Sequence, residues 1–566
     1  MRSKNSYQKF MLLLFFSFFA LAITAPLSSF KYTPAGDFHD HAKAIVLAKN
    51  ALAEHQFPIR IAPDITNNPR YALFQFYSPF PYMIAGFLYT YICKGNPYVH
   101  YKLLTWSALI LGGMFIYRIC QRLTKNKKAA LLAGLAYQFS PYWIINTNIR
   151  TDFTESIAQG FLPVALYYSF YIFQRHDTKR FMLAAISWAI LAMTHLITFA
   201  YGLVFFLIFT SLTTIVNKKI TGLVRVILSI SLGGILALWY LAPIILIHPI
   251  LGIFLDKAYP FKLAFLTPFT SLIATQSVSP IPLPANGELG IEYLYPAVGY
   301  AVLIGIGVLI YIFYKDREFY KKNSALMPLM LTFFLAFFAT WSPLNFWEVL
   351  PAFLSFFQFT YRLLTPVMWL GAILLAFALS GLYKKGIEDG LLLILICVIV
   401  IGNSAWIHTQ KNDGTTIRSE VLNNYQSHLA TDYQVHVDKV PKETILSNSQ
   451  LIHSCTQEHK TLTCHINVTR ETTHVALPML WYPEMISIKI NNHLSPYYPT
   501  IQNKKVMVGL KLTPNQYTIQ ATFVGFTWAN WLSLLGWSYV AISLAILIFS
   551  RKPTPVGLTR ESCYEG

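Results

Sequence analysis

The sequence predicts an α-helical polytopic membrane protein of about twelve transmembrane helices, with a small extracytoplasmic all-β domain near its C-terminus. Three observations predict it. Of the 566 residues, 55% are hydrophobic and only 12% are charged, too few polar groups to cover a soluble surface. Lysine and arginine clusters punctuate the apolar runs at intervals long enough for two helices. From about His408 the composition turns polar and the apolar residues alternate.

At the N-terminus, Arg2, Lys4 and Lys9 precede the apolar run Phe10 to Leu27, long enough at 1.5 Å per residue to cross most of a bilayer. Pro26 follows Ala25 where a signal peptidase would cut, so this run reads as a retained first helix. The basic clusters are Arg118 to Lys128, Arg175 to Arg180, Lys218 to Arg225, Lys315 to Lys322, Lys384 with Lys385, and Arg551 with Lys552. By the positive-inside rule they are cytoplasmic, which accounts for a net charge of +19 without nucleic acid. Each apolar stretch between two clusters is then a hairpin, as in Phe181 to Val216, which turns back near Thr194 and His195. Both termini are expected inside and residues 28–98, 247–296 and 408–528 outside. Phe80 to Cys93 is apolar but short, and Tyr82, Tyr89 and Tyr91 suit an interfacial helix. The expected division is a transmembrane domain 1–407 with its first outer loop 28–98, a β domain 408–528, a last helix 529–550 and a tail 551–566.

In the β domain, TLTCHINVT and KKVMVGLKLTP read as strands, and Cys455 and Cys464 are the one cysteine pair in a polar outer segment, where a disulfide fits. Cys93, Cys120, Cys397 and Cys563 are scattered without metal-ligand spacing. No phosphate loop or dinucleotide fingerprint is present.

The ionisable residues that topology leaves unexplained converge on the outer side, where such groups at membrane depth tend to mark function. In PAGDFHDH, from Pro34 to His41, a helical phase puts Asp37, Asp40 and His41 on one face as an acid/base cluster. The same residues also read as an ordinary helix start, with Asp37 as N-cap and Asp40 at N3. Further along come Arg60, then Arg150, Asp152 and Glu155 in NIRTDFTES, then His195 at a hairpin turn, and Glu288 and Glu292. Asp152, Glu288 and Glu292 read as solvated loop charges. Arg362, preceded by Gln358, lies among Phe356, Phe357, Phe359, Tyr361, Leu363 and Leu364. An unpaired guanidinium is expensive there, so a carboxylate, a carbonyl or a lipid phosphate should meet it. If this stretch is helical, Gln358 and Arg362 share a face.

In layout the chain resembles the GT-C superfamily of integral membrane glycosyltransferases: an acidic motif just after the first helix, a long first outer loop, a Pro-aromatic segment (SPFPYMIAGFLY) before the second span, and a soluble domain near the C-terminus. More narrowly it resembles a bacterial branch of such proteins labelled as related to 6-pyruvoyl-tetrahydropterin synthase. The segments that carry this are D-x-x-x-H (Asp37, His41), FP-x-R-x-AP (Phe57 to Pro63), R-x-x-x-x-E (Arg150, Glu155) ahead of Pro163, Thr-His (Thr194, His195) and Q-F-x-x-R (Gln358 to Arg362). Nothing in these residues carries the chemistry of a pterin synthase.

The superfamily resemblance implies an inverting sugar transfer from a polyprenyl-phosphate carrier to an envelope glycan, lipid or protein acceptor, with an acid of the first outer loop as base. Asp37 fits that position, and Asp40 is a second acid beside it. Arg60, Arg150, Glu155, His195, Gln358 and Arg362 are the expected substrate-binding residues. The sequence names no metal ligands and leaves a divalent cation open. The expected location is the inner (cytoplasmic) membrane of a bacterium, active side outward. Two readings of other classes stand beside this one: a transporter or flippase of a lipid-linked or anionic substrate, and a non-catalytic envelope assembly protein.

Overall fold

A computed structural model describes residues 2–28, 33–34, 37–63, 70–92, 96–218, 220–251, 269–274, 297–341, 343, 346–349, 359–384, 386–407, 411–412, 433–452, 454–469 and 473–549. Cys93, Glu288, Glu292, Gln358 and Cys563 lie outside the described residues.

The helices run in chain order as α1 (Arg2–Thr24), α2 (Phe38–Ala53), α3 (Leu73–Phe76), α4 (Pro79–Phe87), α5 (Pro97–Thr124), α6 (Lys127–Gln138), α7 (Pro141–Asn148), α8 (Phe153–Gln174), α9 (Thr178–Thr194), α10 (Leu196–Asn217), α11 (Ile220–Leu236) and α12 (Leu238–Ile247). Then follow α13 (Phe269–Leu272), α14 (Tyr300–Lys315), α15 (Arg317–Lys322), α16 (Leu326–Trp341), α17 (Leu364–Leu382), α18 (Asp389–Ser404) and α19 (Thr527–Phe549). Among the described residues, six helical stretches are long and apolar enough to cross a membrane, or seven if α11 and α12, bent by 80°, form one span. Three shorter apolar helices, α14, α16 and α18, have 16 residues each. At 1.5 Å per residue each is about 24 Å long, short of a hydrocarbon core of about 30 Å, so length by itself does not make them spans. The segment expected as an interfacial helix at Phe80 forms α4, continued by a π-helical turn over Leu88–Ile92, and Tyr82, expected at headgroup level, is instead fully buried.

The bundle is drawn together around α5 and α8. Gly160 is what allows their close approach, because a Cβ there would sit 2.5 Å from the carbonyl oxygen of Ala108. Tyr137 Oη donates to Gln159 O at 2.7 Å and Trp143 Nε1 to Ser156 O at 3.0 Å, which satisfies both aromatic donors in a buried setting. Arg122, at the far end of α5, donates to Gln174 at the far end of α8. One end of the pair therefore carries Asp152 and the other the lysine-rich turn between α5 and α6.

Among the described residues the polar segment is all-β, as its alternation predicts, and forms a four-stranded and a five-stranded sheet. The strands are β1 (Thr33–Pro34), β2 (Lys411–Asn412), β3 (Gln450–Leu451), β4 (Cys455–Glu458), β5 (Thr461–Val468), β6 (Thr473–Leu480), β7 (Ile486–Ile490), β8 (His493–Leu494), β9 (Tyr498–Gln502), β10 (Lys505–Leu512) and β11 (Asn515–Phe523). One sheet has the order β3-β6-β10-β9 and the other β4-β5-β11-β7-β8. Cys455 and Cys464, opposite one another in the β4–β5 pair, form a disulfide.

This domain is docked on the segment between α2 and α3. Ala72 N–H donates to Tyr482 Oη at 3.1 Å, and that hydroxyl donates to Tyr433 O at 2.8 Å. Arg70, paired with Glu54 at 2.6 Å, also donates to His459 O at 2.7 Å. Just ahead of the acidic motif, β1 pairs antiparallel with β2, Thr33 opposite Asn412.

Candidate active site

The site is built where the ends of four elements meet. After α7 the chain turns sharply, with Thr151 in the left-handed region at φ 54°, and α8 begins at Asp152. Asp152 Oδ1 accepts the N–H of Glu155 at 3.0 Å, an N-cap bond. That bond holds Asp152 and Glu155 together at the start of one helix. The turn also folds Arg150 back so that Nη1 donates to Asn146 Oδ1 at 2.8 Å.

Arg150 lies 3.4 Å from Asp152 and 3.4 Å from Glu155, and Arg362 Nε lies 3.6 Å from Glu155. Tyr142 Oη also donates to Glu155. The side chains are nearly closed to water, Glu155 at 1% and Arg362 at 8% exposure. These separations exceed the 2.7–2.9 Å of tight charge-assisted bonds, so the cluster is close but slack. Arg362 thus has the carboxylate partner its aromatic surroundings demanded. Phe359 is extended (φ −126°, ψ 136°) and Arg362 lies in a 3-10 turn, Thr360–Leu363, ahead of α17, while the face expected to be shared with Gln358 lies outside the described residues.

His195 occupies the break between α9 and α10, where Nδ1 accepts the N–H of Thr198 at 3.2 Å. Ligand-type atoms of Asp152, Glu155 and His195 fall within 4.8 Å of one another. Two carboxylates and an imidazole suit a divalent cation, whereas the sequence names no metal ligands. Burial depresses the His195 pKa, which keeps the ring neutral and able to ligate.

The acidic motif joins this cluster from α2. Asp37 N–H donates to Arg150 O at 2.9 Å. His41 Nδ1 pairs with Tyr82 Oη at 2.6 Å, and Nε2 lies 3.8 Å from Asp152 Oδ1, beyond direct hydrogen bonding. Asp37 stands at the N-cap position of α2, but its side chain makes no capping bond. The ordinary explanation for that carboxylate therefore fails, and its group is left available. Asp37 is exposed as a residue, yet many protein atoms crowd its carboxylate. That crowding raises its pKa, Arg150 pulls it down, and Asp152 pushes it up again. Asp40 is at N3 and partly buried.

Asp152 corrects the sequence reading. It is 4% exposed rather than a solvated loop charge. Burial would raise its pKa, but Arg150, His195, His41 and Arg362 together hold it below the usual carboxylate range. Its place among the polar residues of NIRTDFTES carries no information about depth. Arg60 goes elsewhere: it donates to Gln75 at 2.6 Å and to Asn530 at 2.7 Å and lies over the Trp239 ring. It ties α19 to the α2–α3 segment. Tyr77, Tyr82 and Tyr142 complete the surroundings, and no sequence pattern selects them among 34 tyrosines.

No curated protein sequence matches the chain. Solved structures to which it is similar in architecture include three. These are the arabinofuranosyltransferase AftD from Mycobacteria (14% identity, 70% of this chain and 26% of that one, TM-score 0.38), the Archaeoglobus fulgidus oligosaccharyltransferase (12%, 79% and 62%, 0.42) and ArnT from Cupriavidus metallidurans (14%, 65% and 59%, 0.38). The chain thus spans about a quarter of the first and about three fifths of the other two. A family model matches residues 74–409, more than half of the chain, including Arg150, Glu155, His195 and Arg362 but not α2. The chain belongs to the membrane-protein family described as the 6-pyruvoyl-tetrahydropterin synthase related domain.

Proposed function

We propose that this protein is a membrane glycosyltransferase that moves a sugar from a polyprenyl-phosphate carrier to an acceptor hydroxyl of an envelope glycan, lipid or protein. One observation carries the reading: an accessible carboxylate, Asp37, is bonded through its backbone to the arginine of a buried cluster holding two guanidinium groups. Asp37 takes the acceptor proton as the new bond forms to the anomeric carbon. The bond from that carbon to the phosphate oxygen breaks, and its electron pair leaves with the phosphate. Arg150 and Arg362 stabilise the charge that develops there. A divalent cation, if one is used, fits Asp152, Glu155 and His195 and would supply further charge neutralisation.

The placement also supports surface chemistry over transport. Asp152 begins α8, His195 separates α9 from α10 and Arg362 precedes α17, so every member lies at the end of an element. A carrier needs its site near the midplane. The test is to incubate purified protein with a panel of polyprenyl-phosphate sugars and acceptors and follow release of free polyprenyl phosphate. Release with one donor and not the others supports the reading; no release across the panel, with ligand passing between sealed compartments instead, replaces it with transport.

A further inference from the structure

At the end of the bundle opposite Asp37, an open cleft of about 780 Å³ lies between the α5–α6 turn and the α17–α18 turn. Its lining includes Lys125, Lys127, Lys128, Lys384, Glu388 and Asp389. Two of the lysines are committed: Lys128 pairs with Asp389 at 2.7 Å, and Lys384 pairs with Asp316 at 2.5 Å. These pairs fasten the two turns to the helices around them. Lys125 and Lys127 are exposed and, against the single charge of Glu388, leave the cleft with an excess of positive charge. Lys127 and Lys128 also open α6, whose dipole adds positive potential at the same place.

We propose that this cleft binds the phosphate of an anionic membrane lipid. Its position decides the source of the phosphate. It sits where α5 and α17, helices of 28 and 19 residues, end, so it lies at headgroup depth. Anionic headgroups are concentrated there, and a basic pocket between helices collects them. Ser380 and Tyr383 on the α17 side supply hydroxyl donors for phosphate oxygens.

The experiment uses the full chain in phosphatidylcholine nanodiscs doped with phosphatidylglycerol, with retained lipid counted by native mass spectrometry. Wild type should retain phosphatidylglycerol in preference to phosphatidylcholine, and the double variant Lys125→Gln with Lys127→Gln should lose roughly tenfold of that preference. Both residues are exposed, so unfolding temperatures should match. A second double variant, Lys179→Gln with Lys218→Gln, removes equal charge from other helix ends and should keep the preference. Equal losses in the two double variants would reduce the effect to general surface charge and overturn the site. Displacement of the lipid by millimolar inorganic phosphate would overturn the lipid as its occupant and leave a soluble phosphate ligand.

Discussion

The backbone N–H of Asp37 donates to the carbonyl of Arg150 at 2.9 Å, so the first turn of α2 and the turn ahead of α8 are held as one unit. The side chains of the two residues remain outside that bond. Each can change without breaking the link that positions the other.

If Asp37 is the base, Asp37→Asn should lower turnover by about 10²–10⁴-fold while the fold stays intact, because its carboxylate caps nothing. Asp40→Asn should leave turnover near wild type and cost about 0.3–1 kcal/mol of stability, the value of an acid in a first helical turn. Rates of polyprenyl phosphate release for the two variants rank them. The reverse ranking would move the role to Asp40.

The pH dependence follows from the Asp37 environment. A base works as its carboxylate, so activity should rise with pH through the Asp37 pKa, which lies above the ordinary 3.8. Arg150 lowers that pKa, so Arg150→Gln should move the acidic limb of kcat/KM to higher pH. A limb that stays in place or moves down would detach Asp37 from the profile.

Glu155 holds the buried cluster together through Tyr142, Arg150 and Arg362. Glu155→Gln should destabilise the protein by about 3–5 kcal/mol, since Arg150 and Arg362 each lose a carboxylate partner away from water, Arg150 keeping Asp152. Unfolding of Glu155→Gln, Arg362→Gln and the double variant forms the test. The double variant should be more stable than the sum of the single losses implies; additive losses would mean that the two side chains do not interact.

Asp152, Glu155 and His195 should bind one manganese ion per chain, seen by electron paramagnetic resonance after stripping with chelator. Arg362 competes for Glu155, so Arg362→Gln should tighten that binding by roughly tenfold. Asp152→Asn should abolish it. No bound ion at millimolar manganese would make the cluster a closed set of ion pairs.

A single cysteine placed at Asn515 in the β domain should react with an impermeant maleimide in sealed vesicles that keep the native orientation. One placed at Lys127 should react only after lysis. Labelling of both before lysis would show that the α5–α6 turn and the β domain share a side.

Much of the architecture follows from local features of the chain. Apolar run lengths mark the long helices, alternation marks β5 and β10, and an isolated pair of polar-segment cysteines marks the disulfide, because each of these signals sits within a few neighbouring residues. Asp37, His41, Arg150, Glu155, His195 and Arg362 were also legible as charges out of place in an apolar chain. What the sequence could not decide is which of them meet. Asp152 reads the same whether its loop is solvated or buried, and only the packing of α8 against its neighbours closes it from water. Arg362 reaches Glu155, His41 approaches Asp152, and Arg60 turns away to Asn530 because helix ends distant in sequence are brought together or kept apart by the bundle. Burial and ion pairing are properties of those long-range contacts, and no spacing along the chain encodes them.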